Sequence, residues 1–159
     1  MHIAPLAVEH KKTFIDLITA IESDAFFIYT SPPIKPGAFE AIFQNNNIDI
    51  FIGLNDKNVG IGYAMVVKNL QKESAHLLKI QSIGITPSHR AQGCASQLLA
   101  FIIESYKNTH KIITLEVISG NTHAINLYKK FGFTECGKIK DAFKKDGGSH
   151  DLLTFCKTL

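Results

Sequence analysis

The chain has 159 residues, 45% of them apolar and 19% charged, with a formal net charge of +3. That length and balance suit a single globular domain with a full core and exclude a disordered or fibrous chain. The charge is mild and scattered, which fits an anionic small ligand and offers no basic stripe for nucleic acid.

Cys94, Cys136 and Cys156 are widely spaced, odd in number and form no C-x-x-C pair. This spacing argues against a zinc site or a disulfide framework and for a reducing cytoplasm. The opening Met1-His-Ile-Ala-Pro5 has neither the positive n-region nor the apolar h-region of a signal peptide. No apolar run reaches the ~20 residues of a transmembrane helix. The expectation is a soluble cytoplasmic protein without membrane contact or bound metal.

In chain order, His2 to Leu6 reads as a short strand. Val8, Phe14, Ile15, Leu17, Ile18 and Ile21 recur at helical spacing, closed by Ser23-Asp24. Ser31-Pro-Pro-Ile-Lys-Pro-Gly37 is a breaker cluster, read as a loop before a short helix from Ala38 to Gln44. The β-rich run Ile48 to Leu54, the turn Asn55-Asp-Lys-Asn58 and the strand Val59 to Lys68 make a hairpin. A long strand spans His76 to Ile85, and an amphipathic helix spans Gln92 to Asn108. A strand at Lys111 to Ile118, a helix at Thr122 to Phe131 and a strand at Thr134 to Phe143 follow. Asp146-Gly-Gly148 turns the chain into a last strand, Asp151 to Lys157. Antiparallel strands followed by strand–helix–strand–helix–strand–strand imply an α/β mixed sheet with helices on both faces.

The most informative stretch is Ile85-Thr-Pro-Ser-His-Arg90-Ala-Gln-Gly93-Cys-Ala95, a strand end, a polar loop and a helix start. The first turn of a helix has unpaired N–H groups and the positive end of the macrodipole, which suits it to phosphate. Small residues at Gly93 and Ala95 allow close approach, and Arg90 can add a charge-assisted contact. Gly60-x-Gly62 has Met65 where a dinucleotide fingerprint needs its third glycine, and no helix follows. No Walker-type phosphate loop occurs in the chain. Cys94, at the helix start, reads as a small buried filler. The loop residues His89 and His123 read as solvated, as do Lys129-Lys130 and Lys144-Lys145, while His76 and His150 are candidates to face a substrate.

The second stretch is Asn121-Thr-His-Ala124-Ile-Asn126-Leu-Tyr128-Lys-Lys-Phe131-Gly132-Phe133. Asn121 can cap a helix there and Gly132 can end it in the left-handed region. Together, Arg90-x-x-Gly93-x-Ala95 and Asn121-x-x-Ala124-x-x-Leu127-Tyr128-x-x-x-Gly132-Phe133, one strand apart, resemble the two signatures of the GCN5-related N-acetyltransferase (GNAT) family. The motif-level likeness runs from about Leu77 to Phe133, and the element order is similar over the whole chain. The tail, with Gly137, Phe143, Asp146-Gly147 and Asp151, is similar to a branch acting on amino acids, small amines or ribosomal-protein N-termini.

The resemblance implies one GNAT-like domain over residues 1–159, with an acceptor side at about 1–75 and an acetyl-CoA core at about 76–133. It implies a mostly antiparallel sheet whose fourth and fifth strands are parallel and splayed. Acetyl-CoA would be the cosubstrate, and its acetyl group would pass directly to a primary amine in a ternary complex, with no metal. The N–H of Ile83 would polarise the thioester carbonyl, and the N–H and C=O of Ile85 would hold the pantetheine. Arg90, Ala91, Gln92, Gly93, Cys94 and Ala95 would cradle the diphosphate through the backbone N–H groups of Gln92 to Ala95. Asn121 and Asn126 would add cofactor contacts. Tyr128 would protonate the leaving thiolate, and Glu116 is the carboxylate candidate for general base; Gln81 stands where some relatives have an acid. A non-catalytic acyl-CoA-binding module on the same scaffold is the alternative. The family also contains many homodimers, so self-association is a possible partner relation.

Overall fold

Among the described residues the chain forms seven strands, β1 to β5 largely apolar and β6 and β7 mixed: β1 (His2–Pro5), β2 (Ile48–Leu54), β3 (Gly60–Lys68), β4 (Leu77–Ile85), β5 (Ile112–Ile118), β6 (Thr134–Lys145) and β7 (Gly148–Thr158). In the computed structural model, which describes residues 1–22, 39–69, 71–145 and 147–159, they join in one mixed sheet in the order β1-β2-β3-β4-β5-β7-β6. β1 to β4 are successively antiparallel, and β4 and β5 run parallel. The β6–β7 hairpin folds back so that β7, not β6, lies against β5.

Among the described residues, two α-helices lie on each side of the sheet in sequence order: α1 (Lys11–Glu22) and α2 (Phe39–Phe43), then α3 (Cys94–Tyr106) and α4 (Thr122–Lys130). The apolar stripe of α1, Phe14, Leu17, Ile18 and Ile21, packs on Ile50, Ile52, Leu54, Tyr63 and Met65, and Ile42 of α2 joins this cluster. On the opposite face Leu98, Leu99 and Ile102 of α3 and Tyr128 of α4 cover Phe51, Val66, Ile80, Leu115 and Phe155. Burial from both sides explains why β2 reads as a nearly continuous apolar run rather than an alternating one.

The expected α/β mixed sheet with helices on both faces is the observed fold. Differences lie at the ends. α3 begins at Cys94, two residues later than the periodicity suggests, because Gln92 and Gly93 are spent in the turn. β7 begins at Gly148, three residues before the expected Asp151, because the hairpin ladder runs out to Lys145↔Gly148. Residues 23–24, the Ser31-to-Gly37 loop and Ala38 lie outside the described residues. The edge strand β6 is interrupted by irregularities at Glu135/Gly137 and Ile139/Phe143 and carries Lys138, Lys140 and Lys144. Bulges and lysines of this kind blunt an edge against further strand addition.

Leu98 is fully buried between α3 and the sheet. Leu98→Ala is expected to lower the unfolding free energy by about 2–5 kcal/mol, read from denaturant titration.

Candidate active site

The sheet opens between β4 and β5. Their parallel ladder runs Leu77↔Ile112, Leu78↔Ile113, Lys79↔Thr114, Ile80↔Leu115 and stops there, although both strands continue. At that level the β3–β4 register skips Gln81: Met65 faces Ser82 and Val66 faces Ile80. An extra residue in one strand bends it and adds twist, which turns β4 away from β5. The extra residue also reverses side-chain parity, so that Ile80 and Ile83, three apart, both join the α3 side.

Beyond the bulge, the β4 backbone faces the gap. Thr86 N–H donates to the Ile61 carbonyl at 2.9 Å, which makes Thr86↔Ile61 a hydrogen-bonded antiparallel pair. Hydrogen-bonded and non-bonded pairs alternate along such a ladder. Gly84↔Tyr63 is therefore bonded, and the peptide groups of Ile83 and Ile85 point away from β3, to the side that β5 has left. The resulting cleft, about 480 Å³ including space open to solvent, is lined by Ile80, Gln81, Ser82, Ile83, Leu115, Glu116, Val117, Ile118, Asn121 and Tyr128.

Tyr128 reaches the cleft from the α4 side, and local sequence holds it there. The Asn121 side chain accepts the Ala124 N–H at 3.1 Å and caps α4. At the other end Gly132 has φ +80, Phe133 N–H donates to Tyr128 O at 3.0 Å and Gly132 N–H to Lys129 O at 3.0 Å. Those two bonds are a Schellman motif, and its usual apolar contact is here the Tyr128–Phe133 ring pair, 6.0 Å between centroids. Phe155 holds the other side of the ring at 6.4 Å. Burial pushes the Tyr128 hydroxyl up to about 12, so it is protonated at neutral pH.

Glu116 reaches the cleft from the other side of the sheet. Ile113, Leu115 and Val117 face α3 and α4; Glu116 alternates with them and faces the opposite way. Its Oε2 accepts from Lys79 Nζ at 2.8 Å, and both side chains are about one-third exposed, at 33% and 38%. A phenol and a carboxylate thus flank one gap from opposite faces of the sheet.

At the end of β4 the chain turns through a 3₁₀ segment, Pro87–His89, into α3. His89 Nδ1 lies 2.9 Å from Thr86 Oγ1, Gln92 Nε2 donates to Ser88 O at 3.0 Å, and Arg90 Nε donates to Ile85 O at 3.1 Å. Ala91 at φ +58 and Gly93 at φ +79 make the turn. Gly93 is the N-cap and supplies no side-chain acceptor; the first helical bond runs from Gln97 N–H to Gly93 O. The N–H groups of Cys94, Ala95 and Ser96 therefore have no acceptor within the helix. A Cβ built on Gly93 would meet no heavy atom within 4 Å, so the concave side is open.

Most expected site residues converge. Ile83, Asn121, Glu116 and Tyr128 line the cleft, and Ile85 through Ala95 lead from its end into the helix start. Asn126 stands apart on the exposed side of α4, and Cys94 is buried as a filler should be. His76 lies at the paired end of β4–β5, where its carbonyl accepts from Lys111 and Ile112 N–H, at the far end from the splay. His150 instead lies against Gly120 near the cleft rim. Lys79 is a contributor that no spacing announced: only the β4–β5 register brings it to Glu116. Among the described residues no three His, Cys, Asp or Glu side chains gather as a metal site, and no helix is long and apolar enough to cross a membrane.

Comparison with known proteins follows the same lines. The model of the acetyltransferase (GNAT) family matches residues 15–133, and the chain belongs to that family of N-acetyltransferases. It is 23% identical over 137 residues to the N-alpha-acetyltransferase RimI of Mycobacterium tuberculosis (strain ATCC 25618 / H37Rv), covering 85% of this chain and 83% of that protein. The ribosomal-protein-alanine N-acetyltransferase structure from Brucella melitensis superposes with TM-score 0.83 at 21% identity over 100% of both chains. A GNAT superfamily phosphinothricin acetyltransferase from Sinorhizobium meliloti, solved in complex with acetyl-CoA, superposes with TM-score 0.82 at 18% identity, over 99% of this chain and 88% of that one.

The raised Tyr128 value has a sign that can be tested. A folded value of about 12 against an ordinary 10.0 contributes stability that is complete below pH 10 and lost as pH rises towards 12. Tyr128→Phe should remove one tyrosinate from the absorbance titration near pH 12 and flatten the alkaline fall in stability.

Proposed function

We propose that the protein transfers the acetyl group of acetyl-CoA directly to a primary amine, with the α-amine of a peptide or protein N-terminus as the acceptor class. The observation that carries this reading is the cleft between β4 and β5, with Tyr128 and Glu116 on opposite sides of a row of β4 peptide groups that β5 has left. The RimI-like relatives support the choice of acceptor. The three cysteines, all free, suit action in a reducing cytoplasm.

In this reading the pantetheine lies along β4 like an added strand and pairs with Ile85. The Ile85 carbonyl already accepts from Arg90 and has a second lone pair to offer. The diphosphate sits on the N–H groups from Gln92 to Ala95, where the left-handed residues and the helix dipole favour an anion. Arg90, tied to the strand end, steadies the turn and adds positive charge. Asn121 has its Oδ1 committed to the cap and its amide N–H₂ for the ligand.

The reaction needs a proton removed from the acceptor ammonium and one delivered to sulfur. Glu116 accepts the first on the open face of the sheet. The free amine then attacks the thioester carbon, whose developing oxyanion receives the Ile83 N–H. The C–S bond breaks, and Tyr128 gives its hydroxyl proton to the thiolate on the α4 side. A phenol at about 12 is a weak acid, but the burial that raises it also raises the basicity of a thiolate formed beside it, so the two remain matched.

Tyr128→Phe should keep acetyl-CoA affinity while kcat falls at least about tenfold; unchanged turnover would sink the general-acid role. Gly93→Glu should abolish acetyl-CoA binding in calorimetry, because φ +79 strains any side chain there and a carboxylate would occupy the diphosphate's place. Gly93→Ala separates the two effects by adding strain without charge. A thiol-release screen against N-terminal peptides, amino acids, polyamines and aminoglycosides tests the acceptor. Binding of acetyl-CoA with no release in any arm would favour the non-catalytic module.

A further inference from the structure

Glu116 has a partner for which the chemistry above has no use. Lys79 Nζ donates to Glu116 Oε2 at 2.8 Å across the last paired rungs of β4 and β5, just before the ladder ends. Lys79 sits two residues ahead of the bulge residue Gln81 and on the same sheet face as Glu116, away from α3 and α4. Glu116 is on a stretch of β5 that has lost its β4 neighbour, one-third exposed, and Lys79 is the ion-pair partner described for its carboxylate. A glutamate side chain has several rotatable bonds, and in an open cleft its carboxylate would otherwise sample many positions.

We infer that Lys79 is a positioning residue for acetyl transfer: by binding Oε2 it turns the Glu116 carboxylate so that Oε1 faces the acceptor ammonium. This rests on the proposed role of Glu116 as general base. Lys79 touches neither substrate in this arrangement. The pair is one-third exposed and therefore weak, so it orients the carboxylate without withdrawing it from an incoming ammonium. The ammonium of Lys79 also balances the charge of the carboxylate while the site waits for substrate. The position is set by register: Lys79 opposes Thr114, two residues before Glu116, so a long side chain leaning along the strand reaches the carboxylate. The same side chain placed after the bulge, where parity has flipped, would face α3 instead.

The test is a double-mutant cycle on the full chain, followed by thiol release with acetyl-CoA and a short alanine-initiated peptide, or glycinamide at high concentration as the minimal amine. Lys79→Met should lower kcat roughly ten- to hundredfold, as loss of orientation does, while the acetyl-CoA KM stays within about twofold. Lys79→Arg should recover most of the loss, since it keeps a charged N–H donor. Glu116→Gln should fall at least as far, and adding Lys79→Met to it should cost nothing further, because the residue acts only through the carboxylate. Thermal melting of each variant controls for folding. Wild-type kcat in Lys79→Met beside an impaired Glu116→Gln overturns the role of Lys79 and leaves the base assignment standing. Equal losses from Lys79→Met in both backgrounds overturn it as well, since they mark an effect that bypasses Glu116. Wild-type turnover in Glu116→Gln removes the base itself, and the role of Lys79 with it.

Discussion

The site depends on the end of one strand ladder. β4 and β5 pair for four rungs and then part, and the physical cause lies on the other side of β4, where Gln81 is inserted into its antiparallel ladder with β3. Without the extra residue β4 would continue beside β5, its outward peptide groups would be satisfied by a strand, and no cleft would exist between Ile83 and Val117. The bulge also sets which side chains face which layer. It leaves Ile80 and Ile83 in the apolar layer under α3 and puts Lys79 on the face where Glu116 stands.

The gap passes through the sheet rather than sitting on it, and this gives the proposed chemistry its two sides. Proton removal is assigned to the face that α1 and α2 partly cover, proton delivery to the face under α3 and α4. The proposed acid is held rigidly: a side-chain cap at one end of α4, a Schellman motif at the other, and two aromatic neighbours fix the Tyr128 ring. The carboxylate is held lightly, by one exposed ion pair on a strand edge. Rigid placement suits a group that must meet one atom of a bound cosubstrate. A lighter hold suits a group that must release a proton to solvent and accommodate an arriving amine.

Several elements were legible because their signals are local. The β2–β3 hairpin is announced by Asn55-Asp-Lys-Asn58 between β-rich runs, and β2 falls on the expected Ile48–Leu54. Asn121 caps α4 and Gly132 ends it at φ +80, as their residue types predict. The loop into α3 was legible down to its small residues, and only the helix start moved, to Cys94. Other features are not local. Nothing about Gln81 marks it as an extra residue; the bulge is a mismatch between two ladders and is defined only when β3 is laid beside β4. His76 immediately precedes a strand that passes the cleft, yet it lies at the wrong end, because distance along a strand becomes distance in space at about 3.3 Å per residue.

By itself the sequence determined the order of elements, the caps that hold α4, the anion-ready turn at Arg90 to Ala95 and the phenol at Tyr128, because each rests on contacts within a few residues. Only the tertiary structure decided that β7 enters between β5 and β6, that β4 leaves β5 after Ile80, and that Lys79 meets Glu116. These depend on register between strands distant in the chain, where sliding one strand by a single residue turns every side chain to the opposite face.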